Sequence, residues 1–192
     1  QIHAFTPAQL GGLNAATFGA LTSAQVAGLT TAQVRGLSTT NMMSLSTGQI
    51  SGLAATQIGI LTSAQFDALT PGDIDSLTSV QITGLTQVQI RGLTPTAFSG
   101  FNSTQLNGFA ATQIRALSTT SLQNLTASQL DGFTPSQLGM LQQSQFASLS
   151  TTAISGLTPA QLAGFTSTQF QVIKSTEFNA LTTANIAGLS ST

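Results

Sequence analysis

Three residue types that often carry chemistry or stabilise small folds are missing from this chain: cysteine, tryptophan and tyrosine. The absence of cysteine excludes a disulfide framework, a thiolate nucleophile and a cysteine metal site. His3 is the only histidine, so no Ser-His-Asp, Cys-His or multi-histidine constellation is expected within one chain. Glycine-rich phosphate loops are absent as well. The sequence therefore predicts no enzyme, with no catalytic, cofactor-binding or metal-binding residues and no cofactor.

Charge is equally scarce, with four basic and five acidic residues among 192 and a formal net charge of -1. No stretch is basic enough to follow a phosphate backbone, which argues against nucleic acid as a partner. No apolar run approaches the roughly 18 residues of a membrane span, and the first residues lack the form of a signal peptide. We therefore expect no membrane insertion. Scarce lysine with abundant Thr, Ser, Gln, Ala and Gly is typical of a secreted bacterial repeat protein.

What the chain does contain repeats every eight residues. We number the positions of each repeat from one to eight, starting at Phe5, and call equivalent positions a column. The first column, ending at Leu189, and the sixth column, from Ile2 to Ile186, are apolar in all 24 repeats and hold all 11 phenylalanines. This pattern predicts one continuous repeat domain over residues 1–192. Because the array begins at the fifth position and stops at the fourth, we expect it to be a piece of a longer array.

The second and fifth columns predict that each repeat begins a helix. The second column is Thr, Ser or Asn in 20 repeats and the fifth is Gln in 16, which gives the Thr-x-x-Gln spacing of a capping box. The first and sixth columns then fall where a hydrophobic staple forms. Asp73 and Glu177 replace Gln at the positive end of the helix dipole. All prolines occupy the third column, the first helical position, where the missing N–H costs nothing: Pro7, Pro71, Pro95, Pro135 and Pro159.

These columns favour an all-α fold, a superhelical solenoid of single short capped helices with one helix per octad. A helix shorter than about 12 residues is marginal alone, so neighbouring repeats must hold it. A β-solenoid is the alternative, but strict alternation is missing and proline lies within the segment that would be the strand. The sequence does not give the number of repeats per turn; three or four is a guess from how many short rods close around a core. Glycine at the eighth column indicates a left-handed stop or close approach between coils, and Ile60, Met140 and Val172 there favour close approach.

Few residues suggest a site. His3 lies in the seventh column, whose charged members indicate a solvated face. Asp67, Asp73 and Asp75 form an acidic cluster that could hold Ca²⁺, although it lacks the spaced glycine of a calcium loop. The repeated glutamine could form a recognition ladder, but capping already explains its spacing. A weakened cap and a bulky junction at 172–174 suggest a local bend or edge, but drift in a tolerant array is the preferred explanation. Hydroxyls of the third and fourth columns could order water on a flat face: Thr31, Thr39, Thr40, Thr119 and Thr120.

The motif resembles the octapeptide arrays Leu-Thr-x-x-Gln-Ile/Val-x-Ala/Gly of very large bacterial surface and secreted proteins described as adhesins or haemagglutinin-like. The resemblance covers the whole chain and is visible in LTSAQVAG, LTTAQVRG and LTQVQIRG. It implies an extracellular stalk or adhesive segment and brings no catalytic residues. LTPAQLAG is also similar to the start of the DNA-reading repeats of plant-pathogen effectors, but only over the helix cap, and this chain has few basic residues.

We therefore expect a structural spacer of an extracellular or cell-surface protein. The alternative is a binding module that presents a repetitive polar face to a glycan, a peptide or ice, and the sequence does not identify such a ligand. The first and sixth columns would be exposed at both ends of the array. Since low charge gives little repulsion, end-to-end self-association is also expected.

Overall fold

The computed structural model describes residues 1–189 and is all-helical there, with 23 α-helices, one 3₁₀ turn at Ile2–Ala4 and no strand. This confirms the all-α solenoid of short helices and leaves no place in residues 1–189 for the β-solenoid alternative. The chain forms two compact units, Gln1–Phe101 and Asn102–Thr192. Each helix spans four to six residues and follows the previous one at the octad period.

The first unit contains α1 to α12: Pro7–Gly11, Ala15–Gly19, Ser23–Ala27, Thr31–Arg35, Thr39–Met43, Thr47–Ser51, Ala55–Gly59, Ser63–Asp67, Pro71–Asp75, Ser79–Thr83, Gln87–Gly92 and Pro95–Ser99. The second contains α13 to α23: Ser103–Asn107, Ala111–Ala116, Thr119–Gln123, Ala127–Leu130, Pro135–Gly139, Gln143–Phe146, Thr151–Ser155, Pro159–Leu162, Ser167–Phe170, Ser175–Phe178 and Thr183–Ala187.

The predicted capping box sets the start of the helices. At α11 the N-cap Thr86 has extended backbone angles, its hydroxyl accepts from the N–H of Gln89 at 3.3 Å, and the Oε1 of Gln89 accepts from the N–H of Thr86 at 2.8 Å. Two of the otherwise unpaired N–H groups of the first turn are thereby satisfied. Every proline is the first residue of its helix, as predicted for α1, α9, α12, α17 and α20.

Within each unit, a helix packs against the helix three positions further along the chain. In the first unit α1 packs on α4, α2 on α5 and α3 on α6; in the second α13 packs on α16 and α17 on α20. The helix α8 contacts both α11 and α12. One turn of the solenoid therefore takes between three and four octads, which agrees with the expected range.

The two apolar columns form the core of each unit. Sixth-column side chains such as Ile58 and Ile90 are fully buried, and first-column side chains such as Leu61 and Leu85 are almost so. Aromatic rings pack on one another where phenylalanine replaces the aliphatic residue; the rings of Phe146 and Phe165, for example, lie edge to face at 4.7 Å. Both columns are buried because each turn of the solenoid, which we call a coil, covers the coil before it. The short helices are therefore stable only when neighbouring coils are present.

Close packing between coils explains many of the glycines of the eighth column. No residue in the described chain has a positive φ, so these glycines do not act as left-handed stops. A Cβ on Gly164 would lie 2.6 Å from the Cα of Pro135, and one on Gly100 would lie 2.8 Å from the Cα of Pro71. Real Cβ atoms do not approach backbone so closely. The close-approach interpretation is therefore correct at these positions.

Each such glycine meets a third-column residue that stands 29 positions earlier in the chain. At this spacing Thr is paired only with residues that carry a Cβ. Within the two units these pairs are Thr31 with Ile60, Thr39 with Ala68, Thr47 with Ser76, Thr119 with Ser148 and Thr151 with Ala180. Glycine is instead opposite Pro, Ser or Ala. The spacing between coils is thus set by matched pairs, since a β-branched residue needs more room than a close contact leaves.

Two neighbouring glycines of the second unit test this account. We expect Gly164→Ala to lower the free energy of unfolding by about 1 to 3 kcal/mol, because its Cβ would collide with the backbone of Pro135. We expect Gly156→Ala to be neutral or to stabilise by about 0.4 to 1 kcal/mol, since its Cβ would lie 3.4 Å from the nearest atom, a carbonyl oxygen of its own helix. Denaturant unfolding measures both; equal midpoints for the two variants would contradict close packing as the reason for the column.

Candidate functional site: a buried amide column between the coils

The largest repeated set of polar side chains buried in residues 1–189 is the fifth column, which we call the amide column. In the first unit its buried glutamines include Gln33, Gln49, Gln57, Gln65, Gln81 and Gln89; in the second they include Gln137, Gln145, Gln161 and Gln169. Burying an amide costs free energy unless all its groups are hydrogen-bonded. Their bonding partners therefore decide what the column does.

Each of these amides bonds in two directions, as Gln89 illustrates. Its Oε1 accepts from the N–H of Thr86 in its own repeat, and its Nε2 donates to the carbonyl oxygens of Ile58 at 2.7 Å and Leu61 at 3.0 Å. Ile58 lies in the last turn of α7, and Leu61 lies in the link between α7 and α8. One side chain thus joins the start of a helix to the preceding coil.

The same geometry recurs through both units. All ten of these glutamines donate to the carbonyl oxygen of the residue 28 positions earlier, which belongs to the first column. Most also donate to the sixth-column carbonyl 31 positions earlier. Helices of four to six residues leave most of their C-terminal carbonyls without helical partners. The amide column bonds the first-column carbonyls of the links where water is excluded, and it adds a second bond to sixth-column carbonyls that already accept from the N–H three residues later.

Asparagine in this column makes a shorter version of the same bridge. The Oδ1 of Asn41 accepts from the N–H of Ser38 at 2.9 Å, and its Nδ2 donates to the carbonyl oxygen of Leu13 at 2.9 Å. Asn185 bridges Thr182 and Leu157 in the same way. Because the side chain lacks one methylene, the 31-position partner is not reached in either case. The column therefore tolerates Asn at the cost of one hydrogen bond.

Ala97 has no amide to cap its helix, and the carboxylate of Asp67 takes the place of that amide. The N–H of the N-cap Thr94, which elsewhere donates to the glutamine, donates instead to the Oδ1 of Asp67 at 3.2 Å. The hydroxyl of Thr94 bonds the same oxygen at 3.3 Å. Asp67 lies 27 positions earlier, in the last turn of α8. The inter-coil link is preserved, but its direction is reversed, since the earlier coil now supplies the acceptor.

A charged pair replaces Thr and Gln in the repeat that starts at Ile173. The Oε2 of Glu177 accepts from the N–H of Lys174 at 2.9 Å, which is the capping bond. The Nζ of Lys174 bonds the Oε1 of Glu177 at 2.9 Å and donates to the carbonyl oxygen of Ala147 at 2.9 Å. Lysine thus supplies the inter-coil donor that glutamate lacks. The cap is weakened, as expected, because the lysine side chain cannot accept from the N–H of Glu177, but its bond to the preceding coil compensates for the donor that glutamate lacks.

The other residues singled out from the sequence do not assemble into a site. His3 is exposed in the 3₁₀ turn, and Asp73 is buried in the amide column, where it caps α9 through Thr70. Asp67 has the partner given above, and Asp75 is exposed. Within residues 1–189 no three His, Cys, Asp or Glu side chains group closely enough to hold a metal ion. No helix in the same range is long and apolar enough to cross a membrane.

The hydroxyls of the third and fourth columns are exposed, as expected: Thr31, Thr39, Thr40, Thr119 and Thr120. Each unit completes a turn in three to four octads, so consecutive members of one column point in different directions around the unit. The flat water-ordering face considered for them is not formed by consecutive repeats.

Capping could be deduced from the Thr-x-x-Gln spacing, and the structure confirms it. The hydrogen bonds from the glutamine Nε2 to the preceding coil were not predicted from the sequence. The sequence does contain a signal for these bonds. Glu or Asp could accept the capping bond equally well, yet 16 of the 24 positions are Gln, whose NH₂ group remains free to donate a further hydrogen bond.

Comparison with known proteins supports the repeat array. A family model described as the ALTTAQ repeat matches residues 2–39, roughly the first fifth of the chain. The matched segment contains Leu-Thr-Thr-Ala-Gln at residues 29–33, which span the first to fifth columns of one octad. No curated protein matches the chain.

Proposed function

We propose that this chain is a non-catalytic structural spacer, a stalk segment of a bacterial extracellular surface or secreted adhesin-like protein. The observation that carries the proposal is the contrast between its columns. The first, fifth and sixth columns, which join coil to coil, and the second column, which caps the helices, keep one kind of side chain through most repeats, whereas the exposed third, fourth and seventh columns vary. The side chains are most regular at the positions that hold the array together.

The exposed columns are too mixed for a repeated binding face. Every described fourth-column side chain is exposed, and the column contains Ala, Thr, Ser, Gly and Val, the last at Val80 and Val88. The seventh column includes Arg35, Asp67 and Asp131, so its charge changes sign along the chain. A surface that binds a repetitive ligand needs the same groups at equal intervals. A spacer needs only solubility there.

The extracellular assignment is supported by composition and by the resemblance to octapeptide arrays of large surface proteins. Thr, Ser, Gln, Ala and Gly cover the surface with very few charges. The stability of the array comes from repeated packing and inter-coil hydrogen bonds, which need neither disulfides nor metal. Such a segment can be lengthened by octads without a change in chemistry.

The spacer proposal is tested by a chain in which the residues of the third, fourth and seventh columns are exchanged among repeats while the other columns are kept. Third-column residues are exchanged only between positions whose eighth-column partners, 29 residues later, are of the same type. Asp67 is left in place, as are four seventh-column glycines that closely approach a neighbouring coil: Gly11, Gly19, Gly59 and Gly139. Both versions are displayed on a cell between an anchor and a reporter domain. We expect the exchanged chain to present the reporter to an antibody as well as the original does, and presentation to improve with the number of octads.

If the chain is instead a binding module, exchanging the exposed residues should abolish binding, which a second measurement tests. The isolated original and exchanged chains are compared for binding to a glycan array, a peptide library and ice. Binding by the original that is lost on exchange would contradict the spacer proposal, because the exposed columns would then carry the function. Absence of binding by both versions, together with dependence of presentation on length, is the result that a spacer requires.

A further inference from the structure

Two repeats of the amide column carry a carboxylate in place of the amide, and an ionised carboxylate can only accept hydrogen bonds. At Glu177 the chain supplies a positive group, since the Nζ of Lys174 lies 2.9 Å from the Oε1 of Glu177 and 2.9 Å from the carbonyl oxygen of Ala147. At Asp73 the N-cap is Thr70, which is uncharged, and no Lys or Arg among residues 1–189 pairs with the carboxylate. The column therefore leaves the charge of Asp73 without a partner from the chain.

The side chain of Asp73 is held in the same way as asparagine is held in this column. Its Oδ2 accepts from the N–H and the hydroxyl of Thr70 at 2.9 and 2.7 Å, and the Oδ1 of Asn41 accepts from the same groups of Ser38 at the same distances. Asn41 directs its other polar atom, Nδ2, to the carbonyl oxygen 28 positions earlier. Because aspartate and asparagine have the same shape, the Oδ1 of Asp73 faces the carbonyl oxygen of Leu45.

Two oxygen atoms thus face each other where little water has access. Asp73 is 6% exposed and Leu45 is 5% exposed. Within residues 1–189 neither the Oδ1 of Asp73 nor the carbonyl oxygen of Leu45 accepts a hydrogen bond. Burying a charge in this way costs free energy unless the charge is paired. A positive group beside both oxygens removes this cost.

The neighbouring glutamine shows how much room lies beside these carbonyls. The Nε2 of Gln65, one repeat earlier, lies 3.0, 3.3 and 2.8 Å from the carbonyl oxygens 31, 30 and 28 positions before it. The corresponding carbonyl oxygens of the coil before Asp73 are those of Met42, Met43 and Leu45. Aspartate is one methylene shorter than glutamine, so its side chain does not fill the Nε2 position. Three carbonyl oxygens and the Oδ1 of Asp73 surround that position.

The distances indicate which ions fit there. Calcium binds oxygen at about 2.3 to 2.6 Å and magnesium at about 2.0 to 2.1 Å, so either ion would require the carbonyls to move inward. Packed coils resist such a movement. Ammonium and potassium are larger, and backbone carbonyl oxygens replace the hydration shell of potassium in its channels. The position therefore fits a large monovalent cation.

We propose that the first unit binds one monovalent cation of the size of potassium between two coils, held by the carboxylate of Asp73 and the three facing carbonyl oxygens. The ion neutralises the carboxylate and joins it to the preceding coil, as the Nζ of Lys174 does for Glu177. The site differs from the acidic cluster considered from the sequence, because it uses one carboxylate and backbone oxygens. Its ligands come from two coils, so the ion stabilises their contact.

The test compares the full chain with two variants of equal charge. Asp73→Asn removes the carboxylate and supplies its own donor to Leu45, as Asn41 does in its coil. Asp75→Asn makes the same change of charge at an exposed position two residues away. Urea unfolding followed by circular dichroism is measured in potassium, sodium, calcium and tetramethylammonium chloride at matched ionic strength.

We expect potassium to stabilise the original chain and the Asp75 variant more than the other three salts do. At a potassium concentration about ten times the dissociation constant, the unfolding equilibrium constant should be about tenfold lower. The Asp73 variant should respond alike to all four salts. In crystals soaked in rubidium, a heavier ion of similar size, we expect anomalous scattering between Asp73 and Leu45.

The proposal would be overturned if the two variants responded equally to potassium, because the carboxylate of Asp73 would then not hold the ion. It would also be overturned if calcium stabilised the original chain more than potassium, or if the original chain did not distinguish the four salts. None of these outcomes bears on the spacer test, which measures reporter presentation.

Discussion

Replacing Gln89 with leucine is expected to lower the free energy of unfolding by roughly 2 to 5 kcal/mol, although the two side chains have similar size. The substitution removes this partner from the part-buried N–H of Thr86 and from the buried carbonyl oxygens of Ile58 and Leu61, of which Ile58 keeps its bond from the N–H of Leu61. A buried polar group left unsatisfied costs about 1 to 3 kcal/mol, and only part of this is recovered by burying the leucine. Denaturant unfolding followed by circular dichroism measures the change.

The matched control is Gln9→Leu in the first coil. Gln9 forms the same capping bond with Thr6 but no inter-coil bond, and it is exposed, so we expect a loss of about 1 kcal/mol. The difference between the two variants isolates the inter-coil donor. A Gln89 variant no less stable than the Gln9 variant would show that capping is the whole role of the column.

Replacing Leu85 with alanine is expected to cost roughly 2 to 5 kcal/mol, the range for a leucine removed from a packed core. Leu85 is 4% exposed and precedes the N-cap of α11. Alanine leaves a cavity that the short helices can fill only in part, since they are held on both sides by neighbouring coils.

The neighbouring substitution, Thr86→Ala, provides the comparison for Leu85. It removes the hydroxyl that accepts from the N–H of Gln89 and donates to its Oε1, while the amide of Gln89 keeps its bonds to backbone groups, so we expect about 1 kcal/mol. Unfolding midpoints of the two variants are compared under the same conditions. If the threonine variant proved the more damaging, the first column would not be the inward face.

Two compensating contacts between coils differ from what the sequence suggested for the same residues. Asp67 was considered as part of a calcium cluster, yet in the structure it binds Thr94 of the following coil. Lys174 was interpreted as a defect, yet its Nζ reaches Ala147. Both links span 27 positions, and neither is visible without knowing which residues lie above one another. Interpreting a departure from the repeat requires its partner in the next coil.

The sequence by itself determined the octad period, the helix starts, the proline positions and the two buried columns. These follow from interactions within about four residues, such as Thr86 with Gln89, whose geometry the helix prescribes. Only the tertiary structure decided the number of octads per turn, the bonds over 28 and 31 positions, and the pairing of Gly164 with Pro135. These depend on the angle between consecutive helices, which results from the packing of every coil on its neighbours and is not encoded by any single column.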